Sequence, residues 1–302
     1  MSMRDRIRRI DAFWRPETPP SRLAALRILV GAFALVYLTI RLPHLSTFDF
    51  DISGFRPTGV VSLLSDPLAA PWPGLAAIAA LALGIAFLLG WRFAITGPLF
   101  AAALLWVTSY RNSWGMIFHT ENLMVMHVIV ISLGASADAW SLDARRRAKR
   151  GLPPPGDDPR YGWPLRLAAA ITIGTYVLAG LAKLRHSGLD WVSSDILRNY
   201  IAYDNLRKIE LGDNYSQLGT ALCAHPAIFP PLAAISLAME LLAPIALLGR
   251  RVALVWSLLA WGFHLGVLAL MWIFFPYPLL GFAYAPLFEL ERLPLFRRLR
   301  RS

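Results

Sequence analysis

Lys183 closes the apolar run Tyr176-Val-Leu-Ala-Gly-Leu-Ala-Lys183-Leu, which leads on to Asp190 and Trp191. An ammonium at the edge of a stretch apolar enough for a bilayer is costly unless it reaches water, finds a partner or does chemistry. Thr172, Tyr176 and Ala179 share its helix face, and Gly174 and Gly180 would let another helix come close. A shielded amine gives up its proton more readily than a hydrated one, and the neutral amine is a general base. Snorkelling to the outer interface is the other reading of Lys183.

Glu240 stands in the middle of the apolar run 231–248 with no charged neighbour in sequence. It is protonated, paired or turned to a hydrated cavity, as a pocket residue or as a tie to another helix. Pro244, four residues on, has no N–H for the Glu240 carbonyl, so a kink is expected there. His264 lies inside the run 252–270. His119 and His127 flank the start of the run 123–137, eight residues apart and so on similar faces. A histidine at such depth either bonds helix to helix or serves a site. Arg27, one to two turns into the first run, either snorkels to the interface or partners a buried carboxylate.

These residues sit in a chain of 302 residues that is 56% apolar and only 16% charged. Soluble domains carry about 25% charged residues, and here the apolar residues come in blocks near the roughly 20 needed to cross a bilayer. We place spans at 23–40, 74–89, 93–107, 123–137, 165–182, 231–248, 252–270 and 273–287. The fold class this predicts is all-α: a polytopic membrane helix bundle of about eight transmembrane helices. Gly90-Trp-Arg92 and Gly249-Arg-Arg251 are short enough to make tight helical hairpins of the spans they join.

Lysine and arginine asymmetry sets the orientation. The N-terminus, the 90–92 turn, the basic run 145–150, Arg250-Arg251 and the tail all fall on one side of an eight-span arrangement. Both termini are then cytoplasmic, and an odd number of spans would put the basic tail on the wrong side. The chain reads as a single transmembrane domain over 1–302. It has a basic amphipathic N-terminus (1–20), a cytoplasmic linker (144–163), a longest non-cytoplasmic loop (183–230) and a basic tail (289–302). Ile7, Ile10, Phe13 and Trp14 recur at helical spacing among arginines, as Leu293, Phe296 and Leu299 do near the end. Each set reads as an interfacial helix on the cytoplasmic leaflet or as an ordinary flanking anchor.

The arginines at the N-terminus resemble a signal n-region, but the long apolar segment after them lacks a small-x-small exit, so we read a retained first span. The net charge of +11 is spread in short clusters between the blocks, which speaks against nucleic-acid binding. Cys223 is the one cysteine, so no intramolecular disulfide or cysteine metal site is expected. Phosphate-binding, zinc-helix and hydrolase-elbow motifs are missing from the sequence.

The segment from Tyr176 to Leu184 with Asp190-Trp191 resembles the lysine segment of vitamin K-dependent gamma-carboxylases and their bacterial relatives, the HTTM (horizontally transferred transmembrane) domain proteins. Arg111-Asn-Ser-Trp-Gly, His119-Thr-Glu-Asn122 and Trp140-Ser-Leu-Asp143 resemble the fourth-helix region of the same family. Glu240 with Pro244, Gly262-Phe-His264 and Phe274-Phe-Pro276 follow in the family's order. The resemblance covers essentially the whole chain. It implies a multi-pass protein of the bacterial inner (cytoplasmic) membrane that uses a reduced quinone of the vitamin K or menaquinone type. In the family, a lysine deprotonates the quinol, oxygen adds to give a strong base, carbon dioxide is captured on a glutamate, and the quinone leaves as its epoxide.

Carried over, Lys183 is the base and His119 supports the intermediate. Tyr176, Glu240 and His264 take a structural or cofactor-lining role. The vertebrate carboxylases carry a large soluble portion after the membrane domain that helps hold the protein substrate. Without an equivalent here, oxidation or epoxidation of the quinol on an unknown acceptor is the narrower expectation, with a peptide or protein substrate or a separate partner subunit. The alternative is a non-catalytic quinone-binding or accessory membrane subunit. A transporter ranks third, because no inverted repeat or discontinuous helix pair is evident.

Overall fold

The structure is a computed structural model and describes residues 2–48, 52–115, 120–296 and 298–299. It is all-helical. The described residues contain no strand beyond two isolated bridges, Thr18 with Asp158 and Phe55 with Trp114. The chain divides into two compact units, Met1–Ala168 with Phe288–Ser302, and Ala169–Leu287.

The first unit holds α1 (Met3–Trp14), α2 (Pro20–Ser46), α3 (Trp72–Leu89), α4 (Phe93–Asn112), α5 (Asn122–Leu133), α6 (Leu142–Lys149) and the start of α7 (Pro159–Ser187). The rest of α7 belongs to the second unit, with α8 (Asp190–Ser193), α9 (Ile196–Glu210), α10 (Gln217–Leu222), α11 (Phe229–Leu241), α12 (Arg250–Met271) and α13 (Pro276–Leu279). Among the described residues, five helices are long and apolar enough to cross a membrane: α2, α3, α4, α7 and α12. They mark the chain as a membrane protein and match five of the expected spans.

The other three expected runs are not continuous long helices. The run 123–137 is helical only as α5, whose 12 residues rise about 18 Å. It stops at Gly134, where a Cβ would come within 2.7 Å of Pro164, so close packing replaces the next turn. The run 231–248 breaks after Leu241 and continues as a 3-10 segment, Ala243–Leu248, because Pro244 cannot donate to the helix ladder. The run 273–287 carries Pro276, Pro278 and Pro286 and folds as α13 and the 3-10 segment Phe282–Leu287.

In the first unit α3 and α4 form the expected hairpin, with α2 beside α3 and α5 beside both α4 and α2. A Cβ on Gly84 would sit 2.9 Å from Leu35 and Phe100, so this glycine permits the close approach. The hairpin turns at Gly90, whose φ of +60° favours glycine. Asp143 accepts from the amides of Arg92 and Phe93 (2.9 and 2.8 Å) at the start of α4. Arg27 does not snorkel. It is fully buried and donates to the carbonyls of Ser136 (2.5 Å) and Trp140 (2.6 Å), backbone acceptors left beyond the short α5.

The termini differ from each other. No residue of α1 is buried, which leaves Met3, Ile7 and Ile10 exposed along one stripe. The C-terminal segment is not an interfacial helix: Phe296 is buried against the Trp140 ring at 5.2 Å. Arg22 holds the same segment by a forked pair to Glu291 (3.0 and 2.8 Å).

In the second unit the stretch expected as a loop, 183–230, folds as α8, α9 and α10. Their polar side chains satisfy the last carbonyls of α12. Ser216 Oγ donates to Ala269 (2.5 Å), Asn205 Nδ2 to Leu270 (2.9 Å) and Lys208 Nζ to Met271. A Cβ on Gly219 would lie 1.9 Å from the Leu270 oxygen, so α10 can approach this helix end only through a glycine.

Candidate functional site

Lys183 lies two turns beyond Tyr176 on α7, and Glu240 lies one residue before the end of α11. The two side chains form an ion pair, Nζ to Oε1. Gly180 makes this meeting possible, since a Cβ there would stand 3.1 Å from the Cβ of Glu240 and 2.9 Å from Leu241. The Glu240 side chain is 2% exposed and that of Lys183 19%. Two charges this far from water are worth keeping only if each finds the other. The pairing alternative for Glu240 is therefore the one the fold adopts. The second carboxylate oxygen, Oε2, is buried and has no hydrogen-bond partner among the described residues.

Two aromatic rings hold the ammonium from other directions. The Nζ of Lys183 is 5.1 Å from the Trp191 ring centre and 5.5 Å from that of Phe263. Lys183, Trp191 and Phe263 together form part of the wall of a cavity of about 470 Å³. The rest of the wall is mostly aliphatic, with Tyr200 and Ser236 as its hydroxyl side chains, and comes from α9, α11 and α12, with Gly262 and Gly266 on α12. The volume falls in the range of small-molecule sites, roughly 300–1,000 Å³, and an apolar wall with a few polar groups is their usual form.

Beside the lysine pair, a second polar group is buried in the same unit. Tyr176 Oη is 2.9 Å from His264 Nε2 and 2.9 Å from Tyr284 Oη. Trp256 packs edge-on against both tyrosines, at 5.1 and 6.0 Å, and is fixed by its own N–H on the Met239 carbonyl (3.0 Å). Thr172 bonds the Ala283 carbonyl (2.8 Å), which holds the 3-10 segment carrying Tyr284 against α7.

Of the residues singled out in the sequence, the structure thus joins Lys183 to Glu240 and Tyr176 to His264. Lys183 lines the cavity, whereas Tyr176, Glu240 and His264 are not among its lining residues. His119 lies outside the described residues. His127 is buried with Nε2 3.1 Å from the Ala168 carbonyl, a bond between α5 and α7.

Sequence reasoning missed Trp191 and Phe263 as partners of the ammonium, Tyr284 as the third member of the tyrosine–histidine group, and the folded 183–230 stretch as a supplier of the cavity wall. One signal was present. Gly262 and Gly266 are spaced four apart on an apolar helix, a pattern that marks either a close helix neighbour or deliberate space. Comparison of the chain with family models, with curated proteins and with solved structures finds no match, so the functional reading rests on this geometry and on the resemblance of its motifs.

Proposed function

We propose that this chain is a quinol-dependent enzyme of the bacterial inner membrane, related in chemistry to the vitamin K-dependent gamma-carboxylases, in which the Lys183–Glu240 pair moves the proton of the quinol hydroxyl. The observation that carries this reading is an ion pair whose lysine lines an apolar cavity while its carboxylate is buried outside the wall. The residues suit a reduced quinone: an apolar wall for the ring and tail, and one amine with a carboxylate behind it for the hydroxyl. When bound, the quinol supplies the hydroxyl and the electrons for oxygen chemistry. Eight spans with cytoplasmic termini fit this reading, with the broken 231–248 and 273–287 runs and the short α5 crossing as interrupted segments.

An ammonium has no lone pair, so Lys183 cannot take a proton while it holds all of its own. Its pairing with Glu240 supplies the exit. By passing a proton to Oε1 of Glu240, Nζ would be free to take one from a hydroxyl held at the cavity wall, which would leave an ammonium, a carboxylic acid and the negative charge on the hydroxyl oxygen, with no change in net charge. The Trp191 and Phe263 rings hold the ammonium at the cavity wall, where it would stabilise negative charge on such an oxygen.

A second reading, a quinone-binding or accessory subunit, has its own support: the same pair ties α7 to α11 and would be kept for packing alone. The two are separated with purified protein in nanodiscs given reduced menaquinone or vitamin K, oxygen and bicarbonate, with quinone epoxide followed by mass spectrometry. The enzyme reading expects epoxide that falls about 10²–10⁴-fold in Lys183→Ala and Lys183→Arg. Arginine keeps the cation but not the proton relay. Folded protein that makes no epoxide from either quinol would leave the binding role.

A further inference from the structure

We propose that α1 is a docking arm for anionic phospholipid: its apolar stripe enters the membrane surface, and the guanidiniums of Arg4 and Arg6, on the two borders of the stripe, take lipid phosphates. This surface shares no residue with the Lys183 site, so its test is separate from that of the enzyme reading.

α1 is a helix of 12 residues, none of them buried. A helix that short is marginal in water, and helices in proteins are mostly held by the packing of an apolar face. At about 100° per residue, Met3, Ile7, Ile10 and Trp14 fall within about 60° of one another. All four are 41–73% exposed, so the described residues supply no cover for the stripe. Phe13, about a quarter turn from the centre of the stripe, is half-buried and lies over the Arg166 guanidinium of α7 at 4.8 Å. The contact that holds the helix thus leaves its apolar face turned aside from the bundle.

The level of the arm follows from two spans. α2 begins at Pro20 and α7 at Pro159, and both are long and apolar enough to cross a membrane. In the link from α1 to α2, the Thr18 carbonyl accepts from the Asp158 amide (3.2 Å). The Pro16 carbonyl passes where a Cβ on Gly162 would collide with it. The end of α1 is therefore pinned where two spans begin, which is where the headgroups of a surrounding bilayer lie.

Charge selects the lipid. Five arginines and two aspartates stand between Arg4 and Arg15. Asp5 is engaged in the capping box with Ser2, and Asp11 pairs with Arg15 (3.7 Å). Arg4, Arg6, Arg8 and Arg9 make no ion pair among the described residues. Arg4 and Arg6 lie on opposite sides of the stripe, within about 60° of its edges, whereas Arg8 and Arg9 are farther round. A bordering guanidinium can fork onto a phosphate while the stripe stays in the apolar layer. In a phosphatidylglycerol surface no choline offsets that phosphate, and each arginine near it gains roughly fivefold in binding.

Amide exchange of the full-length protein reads the docking, in nanodiscs of phosphatidylcholine alone and of an equal mixture with phosphatidylglycerol. The last two turns of α1 should exchange at least tenfold more slowly in the anionic discs. Arg4→Gln with Arg6→Gln should remove that slowing. Arg8→Gln with Arg9→Gln is the same loss of charge on the far side and should keep most of it. Ile7→Gln with Ile10→Gln should remove the slowing too, by taking away the stripe. Glutamine keeps helix propensity and α1 buries nothing, so the bundle is undisturbed in each variant. Equal protection in the two lipids overturns the anionic partner. Equal losses from the two arginine pairs overturn the bordering geometry. Protection that the isoleucine pair leaves unchanged means that something other than lipid covers the stripe, and overturns the docking arm.

Discussion

Each unit of the molecule buries an ion pair, and the two pairs are built differently. In the first unit Arg111 of α4 meets Glu121, the residue before α5, at 2.8 Å, and the same Nη1 reaches the Tyr37 hydroxyl at 3.1 Å. Both side chains are at most 10% exposed, and the pair joins three helices side by side. In the second unit Lys183 and Glu240 are joined by a single contact, with one carboxylate oxygen unused and the ammonium in the wall of a cavity. Burial alone does not separate a tie from a site, since both pairs are buried. A charge that lines a cavity does, because only there can a ligand exchange a proton with it.

The largest effect should come from cutting the tie. Glu121→Ala leaves a guanidinium in the interior that cannot shed its proton, at a cost of about 3–5 kcal/mol. Unfolding in mixed micelles measures it, and a loss below about 1 kcal/mol would show that Arg111–Glu121 is no better anchored than a surface pair. Replacing both members of the other pair should do far less. Lys183→Met with Glu240→Leu removes two charges and keeps the volume, so stability should hold or rise by about 1–4 kcal/mol while quinol chemistry disappears. A double variant that unfolds as readily as Glu121→Ala would make the second pair a tie as well, and the distinction between the units would collapse.

The spans were legible in the sequence and the contrast between the pairs was not, since Arg111 and Glu121 carry no sequence signal of their meeting, and the reasons are specific. Five long spans follow from block length and composition, and the α3–α4 turn follows from Gly90 between two apolar runs. The break after Leu241 follows from Pro244, whose position predicts a kink and at which the helix ends. Lys183 and Glu240 were each visible as costly charges, but 57 residues separate them. Nothing in either run says which helices are neighbours. The role of Arg27 is hidden in the sequence for a related reason: a snorkelling arginine, one paired with a carboxylate and one that caps stray carbonyls look alike until the end of α5 is known. The fold of 183–230 was hidden because its burial is polar. Asn205, Lys208 and Ser216 are drawn inward by the bare carbonyls of α12, a demand that hydropathy does not register.

The smallest effect comes from a carboxylate that is not buried at all, and it calibrates the other two. At the start of α1, Ser2 Oγ donates to Asp5 Oδ2 (2.7 Å), the Ser2 amide donates to the same oxygen (3.0 Å), and Ser2 Oγ accepts from the Asp5 amide (3.2 Å). The bonds from the Ser2 side chain and amide hold the Asp5 carboxyl below its ordinary value of 3.8. A carboxyl lowered in the folded helix contributes stability that is fully present above its unfolded value and is lost as pH falls through the lowered one. Amide exchange protection at the start of α1 should therefore be flat from neutral pH down to about 4 and decline below it. Ser2→Ala should lower that protection at neutral pH and lessen the decline, because the hydroxyl bond that lowers the carboxyl most is lost while the backbone amide bond remains. A decline that Ser2→Ala leaves undiminished would place its source elsewhere in α1. Since solvent screens this carboxylate and neither buried pair, raised salt should leave the cost of Glu121→Ala in place while weakening whatever the N-terminal charges contribute.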